Sequence, residues 1–213
     1  MDPTIVKQDN GSAMLRTGGM DRTIVYMDEG YIAKARDLLK KEGKSLNVVR
    51  LAHGVAASQG LVCARAYYYT TPPYESRFPT NRELANSVGY RQFKERLLKK
   101  APEFTFREGI LQKTGAGFRQ KGVDTLITID LMEEPFEEEG VNAVILITGD
   151  SDFVPIIERL RQRGICVIVA CFYGGLSGFS VSRHLAGSAD KVIMLNLDGA
   201  AEAQLHASLE MKS

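Results

Sequence analysis

The segment ILITGDSDFVPIIERL, Ile145 to Leu160, decides how the chain is read. Its first half is apolar or β-favouring without alternation, as in a strand buried on both faces of a parallel sheet. Its second half resumes apolar residues at helical spacing, with Pro155 in the first turn and Gly164 past the end. Between the two halves stand Asp150 and Asp152. Carboxylates are poor residues for burial and repel one another, so this strand-to-helix junction needs something to offset its charge.

The same alternation extends in both directions. RTIVYMD reads as a strand ending at Asp28, and EGYIAKARDLLKKEG as a helix stopped by Gly43. LVCARAYYYT is a second strand. Thr80 and Glu83 form a capping box that opens a helix over NRELANSVGYRQFKERLLKK. FTFREGIL is a short strand or hairpin arm, TGAGFRQKG a glycine-rich basic loop, and Val123 to about Met132 a helix broken at Pro135. VNAVILIT, ICVIVACF and KVIMLNL are further strands, with SVSRHLAGSAD a short helix before the last. Strands separated by helices of this length imply parallel βαβ units, hence an α/β fold: a three-layer α/β/α sandwich with a mainly parallel central sheet.

At 213 residues, 44% hydrophobic and 25% charged, the chain can bury one sizeable core. A net charge of +1 gives no global attraction to nucleic acid or membrane, so any anion-binding surface must be local. Cys63, Cys166 and Cys171 lie in apolar runs without metal-type spacing, which suggests buried thiols in a reducing, cytoplasmic setting. Residues 1–21 read as a flexible arm or leader and 199–213 as a tail, and no apolar run approaches membrane length. No membrane partner is expected, and a homodimer is left open.

In open parallel sheets, ligands gather outside the carboxyl ends of the strands. Asp28 and the Asp150/Asp152 pair should meet there, with Asp124 added from the first turn of the helix after the basic loop. Several carboxylates around one point hold a hard divalent cation, magnesium or manganese, which takes substrate phosphate oxygens as further ligands. Each acid also has a plainer role open to it: Asp152 as an N-cap, Asp124 as a dipole-favoured first-turn residue. Asp130, about 240° around the helix from Asp124, points elsewhere and is either a supporting or a structural residue. Other motifs fail: GKS has Leu38 where a phosphate loop needs glycine, and GAGFRQ has Gln120 where a dinucleotide fingerprint needs glycine. His53, His184 and His206 are too scattered for zinc.

Taken together, MDEGY, AYYYTTPP, FRQKGVDTLITIDLM, TGDSDFVPIIERLRQRGICVIVACF and LAGSADKVIMLN resemble the NYN domain family, in particular its LabA-like branch, related to PIN-type nucleases. The resemblance places the domain at residues 22–198. It implies a PIN-like fold, a magnesium or manganese site with Asp28, Asp124, Asp150 and Asp152 as metal and catalytic residues, and cleavage of single-stranded or structured RNA. In this picture Ser151 orients groups at the site, and Lys113, Arg119, Gln120 and Lys121 grip phosphates beside the cut. Many members carry Asn where this chain has Tyr31, a departure that removes a small polar ligand or substrate contact; Tyr31 stands at that substrate-binding position, and Glu29 adjoins the site as a partial compensation. A second basic surface on the helix bearing Arg91, Lys94, Arg96, Lys99 and Lys100 competes with a simple solvated face. Tyr67, Tyr68, Tyr69 and Tyr74 either stack on bases or belong to the core. The alternative function on the same fold is a non-catalytic regulator of gene expression that binds RNA or a protein.

Overall fold

β1 (Arg22–Asp28) buries Ile24, Val25, Tyr26 and Met27 completely, which requires strands on both of its edges and layers on both of its faces. The computed structural model describes residues 21–41, 43–115, 117–173, 179 and 182–196; the expected arm, apart from Asp21, and the tail lie outside them. After β1 come α1 (Glu29–Lys41), α2 (Val48–Ser58), β2 (Val62–Thr70), α3 (Asn81–Lys100), β3 (Phe104–Glu108), β4 (Ile110–Thr114) and β5 (Gly117–Lys121). The chain continues through α4 (Val123–Glu137), β6 (Val141–Ile147), a 3₁₀ turn (Ser151–Phe153), α5 (Val154–Gln162), β7 (Cys166–Tyr173), α6 (Arg183–Ser188) and β8 (Lys191–Asn196).

Six strands form one sheet in the order β3-β2-β1-β6-β7-β8, and every neighbouring pair is parallel. The pleat sends alternate residues to two cores. Val25 and Met27 pack with α1, α2 and Leu97 of α3. Ile24 and Tyr26 pack with α4, α5 and Leu185 of α6. The expected three-layer sandwich is therefore present, and its sheet is parallel throughout. No helix among the described residues is long and apolar enough to cross a membrane.

Three local readings are corrected. The stretch between Lys44 and Gly60, given no element above, forms α2: Asn47 caps it by accepting from the Val49 and Arg50 N–H groups, and Val48, Leu51, Ala52, Val55 and Ala56 make its buried face. α4 does not break at Pro135 but runs to Glu137, because the proline removes one bond in the last turn while its ring is buried in the core. The glycine-rich basic loop is one arm of the antiparallel β4–β5 hairpin, in which Leu111 faces Gln120 and Lys113 faces Phe118. Gly109 lets the hairpin leave the sheet, since a Cβ there would lie 2.5 Å from the Lys121 carbonyl.

The tyrosine run is core: Tyr67, Tyr68 and Tyr69 are all buried. Tyr69 donates to Asp130 Oδ2 at 2.8 Å, and Arg107 closes a bidentate pair on the same carboxylate at 2.8 and 2.5 Å. Asp130, 1% exposed, is thus a structural acid that ties β3 to α4. Removing only the cation would strand a buried charge. Arg107→Ala should therefore destabilise the fold by about 3 kcal/mol, read as a lower urea midpoint at unchanged slope.

Candidate functional site

The chain proceeds from β1 toward β2 and β3 on one side, then returns to place β6, β7 and β8 on the other. The reversal opens a crevice beyond the carboxyl ends of β1 and β6. In register, Met27 lies beside Ile147, so Asp28 emerges next to Thr148 and the loop leading to Asp150. The acid positions are consequences of strand pairing.

Asp28 is held by the start of α1. Its Oδ1 accepts from the Gly30 N–H at 2.9 Å and the Tyr31 N–H at 3.4 Å, and its Oδ2 from the Thr148 hydroxyl at 3.4 Å. Burial nevertheless raises its pKa to about 6, with a further upward push from Asp124 opposed by these hydrogen bonds. Asp124, on the exposed first turn of α4, is also raised, by desolvation and by the charges of Asp150 and Asp152. The four aspartates thus share one electrostatic field.

The junction that opened the sequence reading resolves in an unexpected way. Asp150, not Asp152, is the cap: its Oδ1 accepts from the Asp152 N–H at 2.9 Å and opens the 3₁₀ turn. The following α5 begins at Val154, with Phe153 at its N-cap position and no side-chain cap, so Asp152 has no capping role and is exposed, as is Ser151. Thr148 is a joint that sequence reasoning underused. Its hydroxyl receives the Asp150 N–H at 3.2 Å and reaches Asp28, linking the β1 and β6 acids; a threonine closing an otherwise apolar strand was the available signal, and the structure buries it fully.

The hairpin brings Gln120 to the same rim. A Cβ placed on Gly30 would lie 3.2 Å from Asp28 Oδ1 and 3.4 Å from Gln120 Oε1, so the amide stands close to the acids. Lys113 and Phe118 share the face of Gln120: Lys113 Nζ lies 5.7 Å from the Tyr74 ring centroid, and the Phe118 ring 5.1 Å from it. Arg119 and Lys121, one residue out of step, fall on the opposite, solvent-facing side. Of the basic helix residues, Arg91, Arg96, Lys99 and Lys100 are exposed, while Lys94 is paired with Glu108 at 2.8 Å.

Two residues are placed away from the substrate side. Tyr31 is 7% exposed and its hydroxyl is occupied by the Phe172 N–H at 2.9 Å, so the ring packs into the core and is not the substrate contact expected from the sequence. Glu29 is clamped by both Arg36 nitrogens at 2.7 and 3.0 Å and by the Tyr68 hydroxyl, which leaves its carboxylate committed.

Among the described residues, no three His, Cys, Asp or Glu side chains stand close enough together to grip a single ion. The four aspartates share one electrostatic field without forming a closed three-acid cluster. The donor set still suits magnesium or manganese: carboxylate and hydroxyl oxygens only, for an ion that keeps several of its waters and can be held partly through them.

Residues 22–196 match the NYN domain family. A crystal structure of a protein of unknown function from Vibrio parahaemolyticus is similar to the chain at a TM-score of 0.56 and 21% sequence identity, covering 84% of this chain and 96% of that one. At that identity the likeness speaks to the fold alone. No curated protein gives a significant match.

The Asp28 environment sets a pH dependence. Because its folded pKa lies above the ordinary carboxylate value, the folded state binds the extra proton, and stability from this group is full below about pH 4 and lost as pH rises through about 6. At neutral pH without divalent ions the cost is up to about 3 kcal/mol. Asp28→Asn should therefore raise the melting temperature in EDTA at pH 7 and leave it nearly unchanged at pH 4. An equal shift at both pH values would remove charge as the cause.

Proposed function

The chain belongs to the NYN domain family, and from that premise we propose that it is a divalent-metal-dependent endoribonuclease, hydrolysing RNA phosphodiester bonds at the rim formed by Asp28, Asp124, Asp150 and Asp152. One contrast supports this reading above the others. Several acids elsewhere in the fold have a cation: Glu29 has Arg36, Glu134 and Glu138 have Arg65, Asp130 has Arg107, Glu108 has Lys94, and Asp190 has Arg161. Among the described residues, none of the four rim aspartates has an ion pair. Four carboxylates sharing one field without a counter-ion suit a cation supplied from solution.

Magnesium or manganese bound there would neutralise charge on phosphate oxygens and make water a better nucleophile at neutral pH. Asp28 and Asp150, fixed by the ends of β1 and β6, would hold it, with Asp152 and Asp124 contributing directly or through water. Asp124, whose proton affinity is raised, suits the role of orienting the attacking water. The Ser151 hydroxyl would add a hydrogen bond at the same edge. Gln120 and Lys113 would meet the RNA on the inner face of the hairpin, while Arg119 and Lys121 would attract phosphates farther along the strand.

The second reading, a non-catalytic regulator that binds RNA or a protein, draws on the spacing of the acids, which brings no three together. Incubating labelled RNA with manganese, magnesium or EDTA separates the two. Cleavage should require the divalent ion, and Asp28→Asn or Asp150→Asn should slow it at least tenfold, about 1.4 kcal/mol of barrier. Asp150→Asn is the cleaner variant because asparagine caps the turn as well as aspartate does. Equal cleavage by wild type and both variants would point to contamination and sink the enzyme reading.

Substrate grip has its own measurement. Lys113→Ala and Lys121→Ala should each weaken RNA binding and lower the slope of affinity against salt by about one ion per lost phosphate contact. An unchanged slope in both would move the RNA path off the hairpin.

A further inference from the structure

We infer that Tyr31 is the positioning residue of the acid rim, a latch that fixes the loop carrying Asp150 against the start of α1; the inference rests on the metal-site reading above.

The latch has three parts. β6 ends at Ile147, opposite Ala170 of β7, so the Phe172 N–H of β7 lies beyond that ladder, and the Tyr31 hydroxyl accepts it at 2.9 Å in a buried position. The Tyr31 ring stacks on Phe172 at 5.4 Å between centroids and meets Phe179 edge-on at 5.6 Å. The same ring roofs Gly149, the residue before Asp150: a Cβ there would sit 2.7 Å from Cε2 and 3.3 Å from both Cδ2 and Cζ. The Tyr31 N–H, at the other end of the residue, points to Asp28 Oδ1 at 3.4 Å.

One residue therefore touches the carboxyl ends of all three strands: its ring and hydroxyl meet the loop after β6 and the end of β7, and its backbone N–H meets Asp28 of β1. The Cys171 thiol donates to the Thr148 carbonyl at 3.1 Å and holds the same loop. The ring and the glycine form a matched pair. Gly149 has no left-handed φ to account for it, so the requirement for a missing side chain comes from the ring above it.

A positioning role predicts coupling between the two residues, felt by the metal as well as by the fold. Gly149→Ala forces the ring and the loop apart, since the obstacle is the body of a packed ring. It should raise the manganese concentration for half-maximal thermal stabilisation about tenfold, equivalent to about 1.4 kcal/mol, and slow RNA cleavage comparably. Tyr31→Leu clears the space, so the double variant Tyr31→Leu/Gly149→Ala should regain most of the manganese affinity lost in Gly149→Ala. In EDTA the double variant should melt above the sum of the two single shifts. Tyr31→Phe, which keeps the ring and loses the hydroxyl, should keep manganese affinity within about threefold of wild type while lowering the melting temperature, since it leaves one buried N–H without its acceptor.

Additive melting shifts in EDTA would overturn the interlock. Coupled melting with an unchanged manganese midpoint in Gly149→Ala would make Tyr31 an ordinary core residue and overturn its positioning role. A wild-type protein that neither shifts with manganese nor cleaves RNA would sink the nuclease reading itself, and the positioning role with it. The EDTA melts still report on the interlock in that case, so the two failures are told apart.

Discussion

Parallel pairing of β1 with β6 is the constraint on which the rest of the molecule depends. It places Met27 beside Ile147, and everything at the rim follows from that register. A slip of one residue would turn Val25 and Met27 toward the wrong core and carry Asp28 away from Thr148. The two strands come from distant parts of the sequence, so the pairing gains its strength from burial on both faces. Ile24 to Met27 and Val144 to Ile147 are fully buried, and each contributes hydrophobic free energy of about 1.5–3 kcal/mol where the side chain is large. The register that secures the core is the one that assembles the acids.

The same pairing explains why the acids are tolerated. A carboxylate at a strand end keeps access to water on one side while its backbone belongs to the most stable part of the fold. Asp28 receives two backbone N–H groups and a hydroxyl, and Asp150 satisfies the start of the 3₁₀ turn. These hydrogen bonds stabilise the ionised forms without supplying positive charge, which is why burial still raises Asp28. Where the fold could use an arginine it did so a few residues away, at Glu29 and at Asp130.

Much of this was legible before any coordinates. The apolar strands, the capping box and the punctuation by glycine and proline follow from local chemistry, and they yielded the element order and the parallel sheet. Asp28, Asp124, Asp150 and Asp152 were named because each ends a strand or opens a helix. The misreadings have equally physical origins. Asp152 looked like a cap because a helix follows it, but the intervening 3₁₀ turn moves the capping position back to Asp150. Pro135 looked like a breaker, yet packing in the second core outweighed one lost hydrogen bond. The hairpin was read as a loop because its glycines obscured the pairing of Lys113 with Phe118, and so the opposite orientations of Gln120 and Arg119 were not visible. Tyr31 could not be placed by sequence, since only the folded chain shows that Phe172 supplies its partner.

The spacing of the four aspartates follows from their energetics. Two unit charges about 5 Å apart repel by about 3 kcal/mol at an effective dielectric of 20, and four acids make several such pairs. A domain with roughly 5–15 kcal/mol of net stability could not carry a fully closed cluster without a cation. The fold supplies them from different elements. Asp28 and Asp150 are bound into the β1 and β6 ends, whereas Asp124 stands on a different element, entered through Gly122 at φ 82° from a hairpin outside the main sheet. Gln120 travels with that hairpin, so any approach of Asp124 to the strand-end acids would bring an amide toward the same point. In this architecture the strand-end acids and the hairpin with α4 reach the same rim from separate elements of the fold.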